Sequence, residues 1–399
     1  MENALQALRQ EVAGWLARNL PPRPTFKLPQ SFLEVESKEQ LDYLRDWQKK
    51  VYEAGYLGMA WPAEYGGRGL PPEHQDVVNE ELARVKAPFM FNTIGLFWAG
   101  PTILRLGTEA QKRRYIKGIL SGDDIWCQGF SEPDHGSDLG NAQTKARREG
   151  DSYIIEGRKI WTTLGHFARH MILLARTNPE APNKYAGLSF FLAPMDAPGI
   201  TVRPIRKITG EYGFNEVIFD AARIPADTLV GEEGQGWQVA MAVLAFERGV
   251  ERGQAGGMVS FPLTVADVAD VARRVHRDGR PAIEDPVIAD RLVQFFIEER
   301  AFRANMARAR HEHLLTPSRP LAPMFMGKLY GSELMKRLAD FAVTIQGANA
   351  PLYLGEPSAI EGGEWQRSAM NAYGATIGGG TTEVQHNIIG ERLLGLPKG

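Results

Sequence analysis

Four short stretches concentrate the residues able to hold a ligand or move a proton. Toward the C-terminal end, Gly378, Gly379 and Gly380 run into Thr381, Thr382 and Glu383. Behind them Val384, Ile388, Ile389 and Leu393 recur at helical spacing. Glycines let backbone N–H groups approach a ligand closely, and a helix N-terminus favours negative charge or an acceptor oxygen. A flexible loop before a threonine-capped helix fits the same residues. Residues 126–138 form an apolar run that breaks into a polar turn, with hydroxyls at Ser131 and Ser137. Residues 159–164 read as a strand that sets Trp161 beside Thr162 and Thr163. Aromatic faces next to short hydroxyls suit a planar, polar-edged cofactor such as an isoalloxazine ring. Taken alone, Trp161 reads better as the core of a β-domain. Residues 244–254 carry two pairs, Glu247-Arg248 and Glu251-Arg252, one turn apart on one helix face. Such pairs are ordinarily solvated charges.

The chain of 399 residues is long enough for two or three domains with cores of their own. Its formal charge of -2 leaves no basic excess to neutralise phosphates, which argues against a nucleic-acid binder. Cys127 is the single cysteine, so an intrachain disulfide and a multi-cysteine metal site are excluded, and no metal site is expected. The first residues carry acids and no apolar core of a secretory signal, and no apolar run approaches membrane-spanning length. A soluble, cytoplasmic protein is the expectation.

These residues must be positioned by three kinds of element. Residues 1–125 read as an N-terminal helical domain: Leu5, Leu8, Val12, Trp15 and Leu16 form one stripe, and Ser37 with Gln40 is a capping-box signature. A third helix is predicted over 73–85. Residues 126–235 give short alternating runs, clearest at 152–155, 171–175, 188–192, 200–206 and 217–219. Gly150-Asp151 and Glu156-Gly157 read as hairpin turns. Strands without intervening helices predict a central antiparallel β-barrel or sandwich. Gly234-Gln235-Gly236 has no strand before it, so a dinucleotide fingerprint is absent. Residues 236–399 read as a C-terminal four-helix bundle, with helices over 237–275, 286–315 and 323–344 and a last one from Thr382. The fold class is α+β, in three domains.

In this order the stretches resemble the acyl-CoA dehydrogenase family of flavoproteins over nearly the whole chain. Residues 58–67 look like its N-terminal signature, residues 130–138 like its flavin-loop motif, and residues 157–162 like its tryptophan strand. The resemblance implies an enzyme holding FAD. Gln128, Phe130 and Ser131 would meet the flavin, Trp161 would lie against its ring, and Thr163 near the reactive N5 edge. Thr381 and Glu383 would hold the ribityl–pyrophosphate side, while Ser137 and Arg248 would contact the acyl-CoA substrate. Electrons would leave through an electron-transfer flavoprotein.

The family's chemistry removes a weakly acidic proton α to the thioester, which requires a positioned carboxylate with a pKa raised by a closed, apolar site. The enolate needs donors at the thioester oxygen. Most members carry the glutamate just before the Gly-Thr of the C-terminal loop. Here Gly379 stands there and has no side chain for the task, so its expected role is shaping the substrate pocket. A minority place the glutamate on the first bundle helix just before an arginine, which here is Glu247, with Glu251 as the fallback.

Two elements that family members lend to a neighbouring subunit are altered. The Arg-x-x-Phe-Gly element appears as residues 275–281 without its phenylalanine, and the Gln-x-x-Gly-Gly element as Gln346, Gly347 and Ala348. The combination resembles the catalytic subunits of heteromeric acyl-CoA dehydrogenases of bacterial steroid side-chain degradation. It implies an oligomer, either an α2β2 tetramer with a homologous partner subunit or a homo-oligomer. A non-catalytic subunit of such an assembly and a flavin-dependent oxidase or monooxygenase on the same fold are the competing readings. The choice among branched, steroid, dicarboxylic and linear acyl groups stays open.

Overall fold

A computed structural model describes residues 2–247, 263–308 and 322–397. Contacts divide the chain into two compact units, Met1–Met258 and Val259–Gly399.

The first unit opens with helices α1 (Glu2–Asn19), α2 (Lys38–Glu53), α3 (Pro72–Arg84), α4 (Gly100–Leu106) and α5 (Glu109–Ser121). The predicted stripe of α1 buries Leu8, Val12 and Leu16. At α2 the expected capping box forms: the Ser37 hydroxyl accepts the Gln40 N–H at 3.2 Å, and the Gln40 side chain accepts the Ser37 N–H at 3.3 Å. Each such cap contributes about 1 kcal/mol.

Seven strands then form one curled sheet: β1 (Trp126–Gly129), β2 (Lys145–Glu149), β3 (Ser152–Lys159), β4 (His170–Arg176), β5 (Leu188–Pro194), β6 (Ile200–Ile205) and β7 (Phe214–Pro225). The spatial order is β1-β4-β2-β3-β7-β6, with β5 also paired to β4. Most pairs are antiparallel, whereas β1 and β2 each run parallel to β4. Alternation along β4 sends Ile172 and Leu174 into the core shared with the N-terminal helices, and Met171, Leu173 and Ala175 into a second core on the opposite face. Gly150-Asp151 closes the β2–β3 hairpin as expected.

Glu156-Gly157 does not turn the chain. Both residues lie inside β3, where the register against β7 shifts between Ile155 and Gly157. Gly157 has φ 142, and a Cβ there would sit 2.8 Å from the Thr144 Cα, so the glycine serves a β-bulge and a close strand approach.

The helix predicted over 237–275 is not one helix. Its first piece, α6 (Gly236–Glu247), buries Val239, Ala240 and Val243 in the core of the first unit. Further on, Thr264 is extended (φ -112, ψ 160) and opens α7 (Val265–Arg274) through a capping box with Asp267, so a new helix starts there. Residues 248–262 lie outside the described residues.

The second unit packs α7, α8 (Pro286–Arg308), α9 (Ala322–Ile345) and α10 (Glu364–Ala375) around Val268, Leu292, Phe295, Leu338 and Trp365. A two-stranded hairpin, β8 (His276–Arg277) with β9 (Arg280–Pro281), joins α7 to α8. The final helix, α11 (Thr382–Ile388), starts where expected but is short. The unanticipated α10 supplies the fourth helix of the packed set. Its buried face is Trp365, Ala369 and Ala372, two of them alanines, so its apolar stripe is faint in sequence.

Candidate functional site

In the first unit, β1 and α6 bring two of the expected residues together. Gln128 stands on β1, and its Nε2 donates to Oε2 of Glu247, the last residue of α6, at 3.4 Å. Helix α6 is anchored below by its buried valines, and β1 by its parallel pairing with β4. A half-buried carboxylate thus meets an amide donor across 119 positions of sequence. Arg248 and the fallback Glu251 lie outside the described residues.

The segment holding Trp161 is a turn and not the continuation of a strand. β3 ends at Lys159, and Trp161 and Leu164 take left-handed backbone conformations with φ 61 and 59. Such values in residues with a Cβ cost of order 1 kcal/mol or more each, so the surroundings must hold them. The turn leaves the Trp161 side chain 56% exposed, with its ring edge-on to Phe214 at 6.0 Å. Trp161 is therefore not β-domain core. Thr163 is buried beside it.

Phe130 and Ser131 are tied to this turn by residues that sequence reasoning missed. Lys159, with no exposed surface, donates from Nζ to the Phe130 carbonyl at 2.9 Å and to Glu132 Oε1 at 2.8 Å. The Glu132 carboxylate also accepts the N–H groups of Gln143 at 2.6 Å and Thr144 at 2.8 Å. Burial pushes the Glu132 carboxyl up, but Lys159 and those N–H groups outweigh it and hold the group below the usual carboxylate range. Burial likewise pulls the Lys159 ammonium down, with Glu132 opposing the fall. The Ile160 N–H completes the tie at the Ser131 carbonyl, 2.9 Å away. Both residues fall inside the motif stretches, yet nothing in the sequence pairs them, because a lysine at a strand end and a glutamate before a proline both read as solvent-facing. Ser137 is exposed on the loop beyond.

In the second unit the glycine loop is fastened on its carbonyl side. Gln385 Nε2 donates to the Gly379 carbonyl at 2.9 Å, and Lys328 Nζ to the Gly380 carbonyl at 2.8 Å. The Thr382 hydroxyl donates to Glu333 on α9 at 2.6 Å. Gly379 and Gly380 have φ 68 and 100, a region where a side chain would be strained. Thr381 caps α11 by accepting the Val384 N–H at 3.3 Å. Glu383 is exposed in the first turn, and its own backbone N–H and the Thr381 hydroxyl hold its carboxyl below the usual range.

Family models of the acyl-CoA dehydrogenase N-terminal, middle and C-terminal domains match residues 2–123, 127–222 and 234–394. The chain belongs to the acyl-CoA dehydrogenase family. Members of this family are flavoprotein oxidoreductases. The acyl-CoA dehydrogenase IpdE1 of Mycobacterium tuberculosis (strain ATCC 25618 / H37Rv) is 37% identical, over 99% of this chain and 98% of its own length. Among solved structures, the Tcur3481-Tcur3483 steroid ACAD aligns with TM-score 0.79 at 29% identity, covering 100% of this chain and 98% of that one. The ChsE4-ChsE5 complex from Mycobacterium tuberculosis aligns with TM-score 0.80 at 28% identity, covering 99% and 98%. The N-terminal helices, curled sheet and C-terminal helices are thus the fold of an acyl-CoA dehydrogenase. Among the described residues, no helix is long and apolar enough to cross a membrane.

Proposed function

We propose that this acyl-CoA dehydrogenase desaturates an acyl-CoA between its α and β carbons, with Glu247 as the base and FAD as the resident cofactor. The observation that carries the reading is the Gln128–Glu247 contact, which joins an acid on the first helix after the sheet to a residue of the flavin-loop strand. A flavin fits the Trp161 turn of the same unit. An indole left 56% exposed next to a buried Thr162 hydroxyl, unpartnered among the described residues, suits a planar ring with polar edges. When bound, FAD supplies the acceptor for the hydride that leaves the β carbon.

The protein's own residues do the rest. Glu247 takes the α proton, so the C–H electron pair becomes the new C=C as hydride departs. Gln128, Phe130 and Ser131 would contact the flavin, Trp161 would lie against its ring, and Thr163 would lie near its edge. Thr381 and Glu383, in the second unit, would bind a ribityl–pyrophosphate chain. Ser137 and Arg248 would contact the acyl-CoA. Gly379 lacks the side chain that would carry an acid, so a branched, ring-bearing or dicarboxylic acyl group would be admitted there. Electrons then leave to an electron-transfer flavoprotein.

Glu247→Gln should lower turnover by at least about a thousandfold, the scale expected when a positioned base is lost, while bound flavin stays stoichiometric. Unchanged turnover would move the base to Glu251 or make the chain a non-catalytic subunit.

The chain also works with a homologous partner, as an α2β2 assembly. Both aligned structures named above are two-protein complexes. The β8–β9 hairpin is engaged with its own unit, because Arg277 donates to the Thr344 and Ile345 carbonyls at 2.7 and 3.2 Å. Gln346 is likewise buried and accepts from Gln366 at 2.8 Å. Full flavin occupancy and activity from the chain purified alone would sink the partner requirement. Mixing the assembly with linear, branched and steroid acyl-CoA thioesters and following flavin bleaching would identify the acyl class.

A further inference from the structure

The strained turn that carries Trp161 and Thr163 hangs on one buried asparagine. Asn215, the second residue of β7, has no exposed surface. Its backbone carbonyl accepts the Thr162 N–H at 2.9 Å, and its side-chain Nδ2 donates to the Thr162 carbonyl at 2.9 Å. Both polar groups of the Thr162 backbone are therefore met by a single residue, between the two left-handed positions Trp161 and Leu164. Phe214, the preceding residue, stands edge-on to the Trp161 ring. The start of β7 thus supports the indole with one residue and the backbone with the next.

The same amide sets a histidine. A carbonyl oxygen can only accept, so the Asn215 atom facing Thr162 is the nitrogen, and the atom facing His166 Nδ1 at 3.1 Å is the oxygen. His166 must then carry its proton on Nδ1, which leaves Nε2 as a lone-pair acceptor. Burial holds the ring neutral by pulling its pKa down, although Asn215 opposes this. His166 Nε2 and Thr162 Oγ1 are both buried without a hydrogen-bond partner among the described residues. Two unmet polar atoms flanking one strained turn are what a bound ligand or water is needed to satisfy.

We propose that Asn215 is a positioning residue for the flavin: it holds the Trp161–Leu164 turn in its strained form and fixes His166 as the Nδ1–H tautomer, so that Trp161, Thr163 and the His166 acceptor face the ligand side together. The role rests on the proposed flavin reading of Trp161 and Thr163. It is independent of which carboxylate is the base.

The test uses the chain co-purified with its partner and compares the wild type with Asn215→Asp. The substitution keeps the side-chain volume, but a carboxylate cannot donate to the Thr162 carbonyl. Ring-15N spectra of His166 should show the Nδ1–H neutral tautomer in the wild type and an imidazolium, or an altered tautomer, in the variant. The flavin dissociation constant, followed by quenching of tryptophan fluorescence, should rise about tenfold, the scale of one lost hydrogen bond. The visible spectrum of bound flavin should shift with it. A residue with a purely structural role would lower the unfolding temperature and leave the tautomer and the flavin spectrum alone, and that pattern would overturn the proposal. Should Asn215→Asp fail to fold, Asn215→Ser and His166→Gln carry the same flavin comparison, and unchanged flavin affinity and spectrum in both would also overturn it. A wild-type assembly that binds no FAD brings down the flavin reading itself, and the positioning role with it. A wild type that binds FAD beside a variant that binds it identically brings down the positioning role alone.

Discussion

At the residue scale, the buried Lys159–Glu132 pair decides where the flavin-loop segment lies. Its ammonium reaches the Phe130 carbonyl and the Glu132 carboxylate together, so one side chain ties the loop to the end of β3. Removing one member of a buried pair leaves the other charge without its partner, which costs about 3–5 kcal/mol. Lys159→Met should lower stability by that order in urea unfolding. The double change Lys159→Met with Glu132→Leu should recover part of the loss, since neither charge of the pair is then left alone. A single variant within 1 kcal/mol of wild type, on the order of an exposed pair, would refute this account. Neither residue is conspicuous in the sequence. Glu247 was legible there, but its contact with Gln128 was not, because only folding brings positions 119 apart within 3.4 Å.

At the element scale, the bulge in β3 and the turn after it act as one device. The register shift at Gly157 redirects the strand just before Lys159 and Trp161, and β7 is the partner on both sides of the shift. Gly157→Val places a Cβ against the Thr144 backbone in a conformation that β-branched residues avoid. A loss of about 2–3 kcal/mol is expected from thermal or urea unfolding, together with weaker flavin binding. Unaltered stability would mean that the bulge tolerates a side chain and does not set the turn. The misreading of Glu156-Gly157 as a hairpin has a plain cause: a glycine after a polar residue marks a turn and a bulge alike, and only the partner strand separates them. The single predicted helix over 237–275 failed for a related reason. Helical periodicity persists across the Thr264 cap, while the burial partners change from one core to another.

At the scale of the whole molecule, three buried clusters divide the work, and among the described residues the outer face of α8 is left exposed. Val293, Phe296 and Ile297, at positions i, i+3 and i+4 of one helix face, are each more than half exposed, with the Arg300 guanidinium over the Phe296 ring at 5.2 Å. The opposite face of the same helix buries Ile288, Leu292 and Phe295. A helix apolar on two faces suits an assembly in which a second chain covers the outer one. Phe296→Glu should release the proposed homologous partner, seen as a smaller species by size-exclusion chromatography and light scattering, while helix content is kept. An assembly of unchanged size would place the partner on another surface.

The sequence by itself determined the order of helices, strands and helices, the capping boxes, and the resemblance that names Trp161, Glu247 and the glycine loop. These are local signals: periodicity, cap spacing and short motifs, each readable within a few residues. Only the tertiary structure decided that Trp161 sits on a strained, exposed turn, that Lys159 is buried, and that Asn215 fastens Thr162 and His166. Those outcomes depend on which strand lies alongside which. A residue such as Asn215 acquires its role from partners some fifty positions away, and hydrogen bonds from a strand to a distant turn leave no trace in the order of the chain.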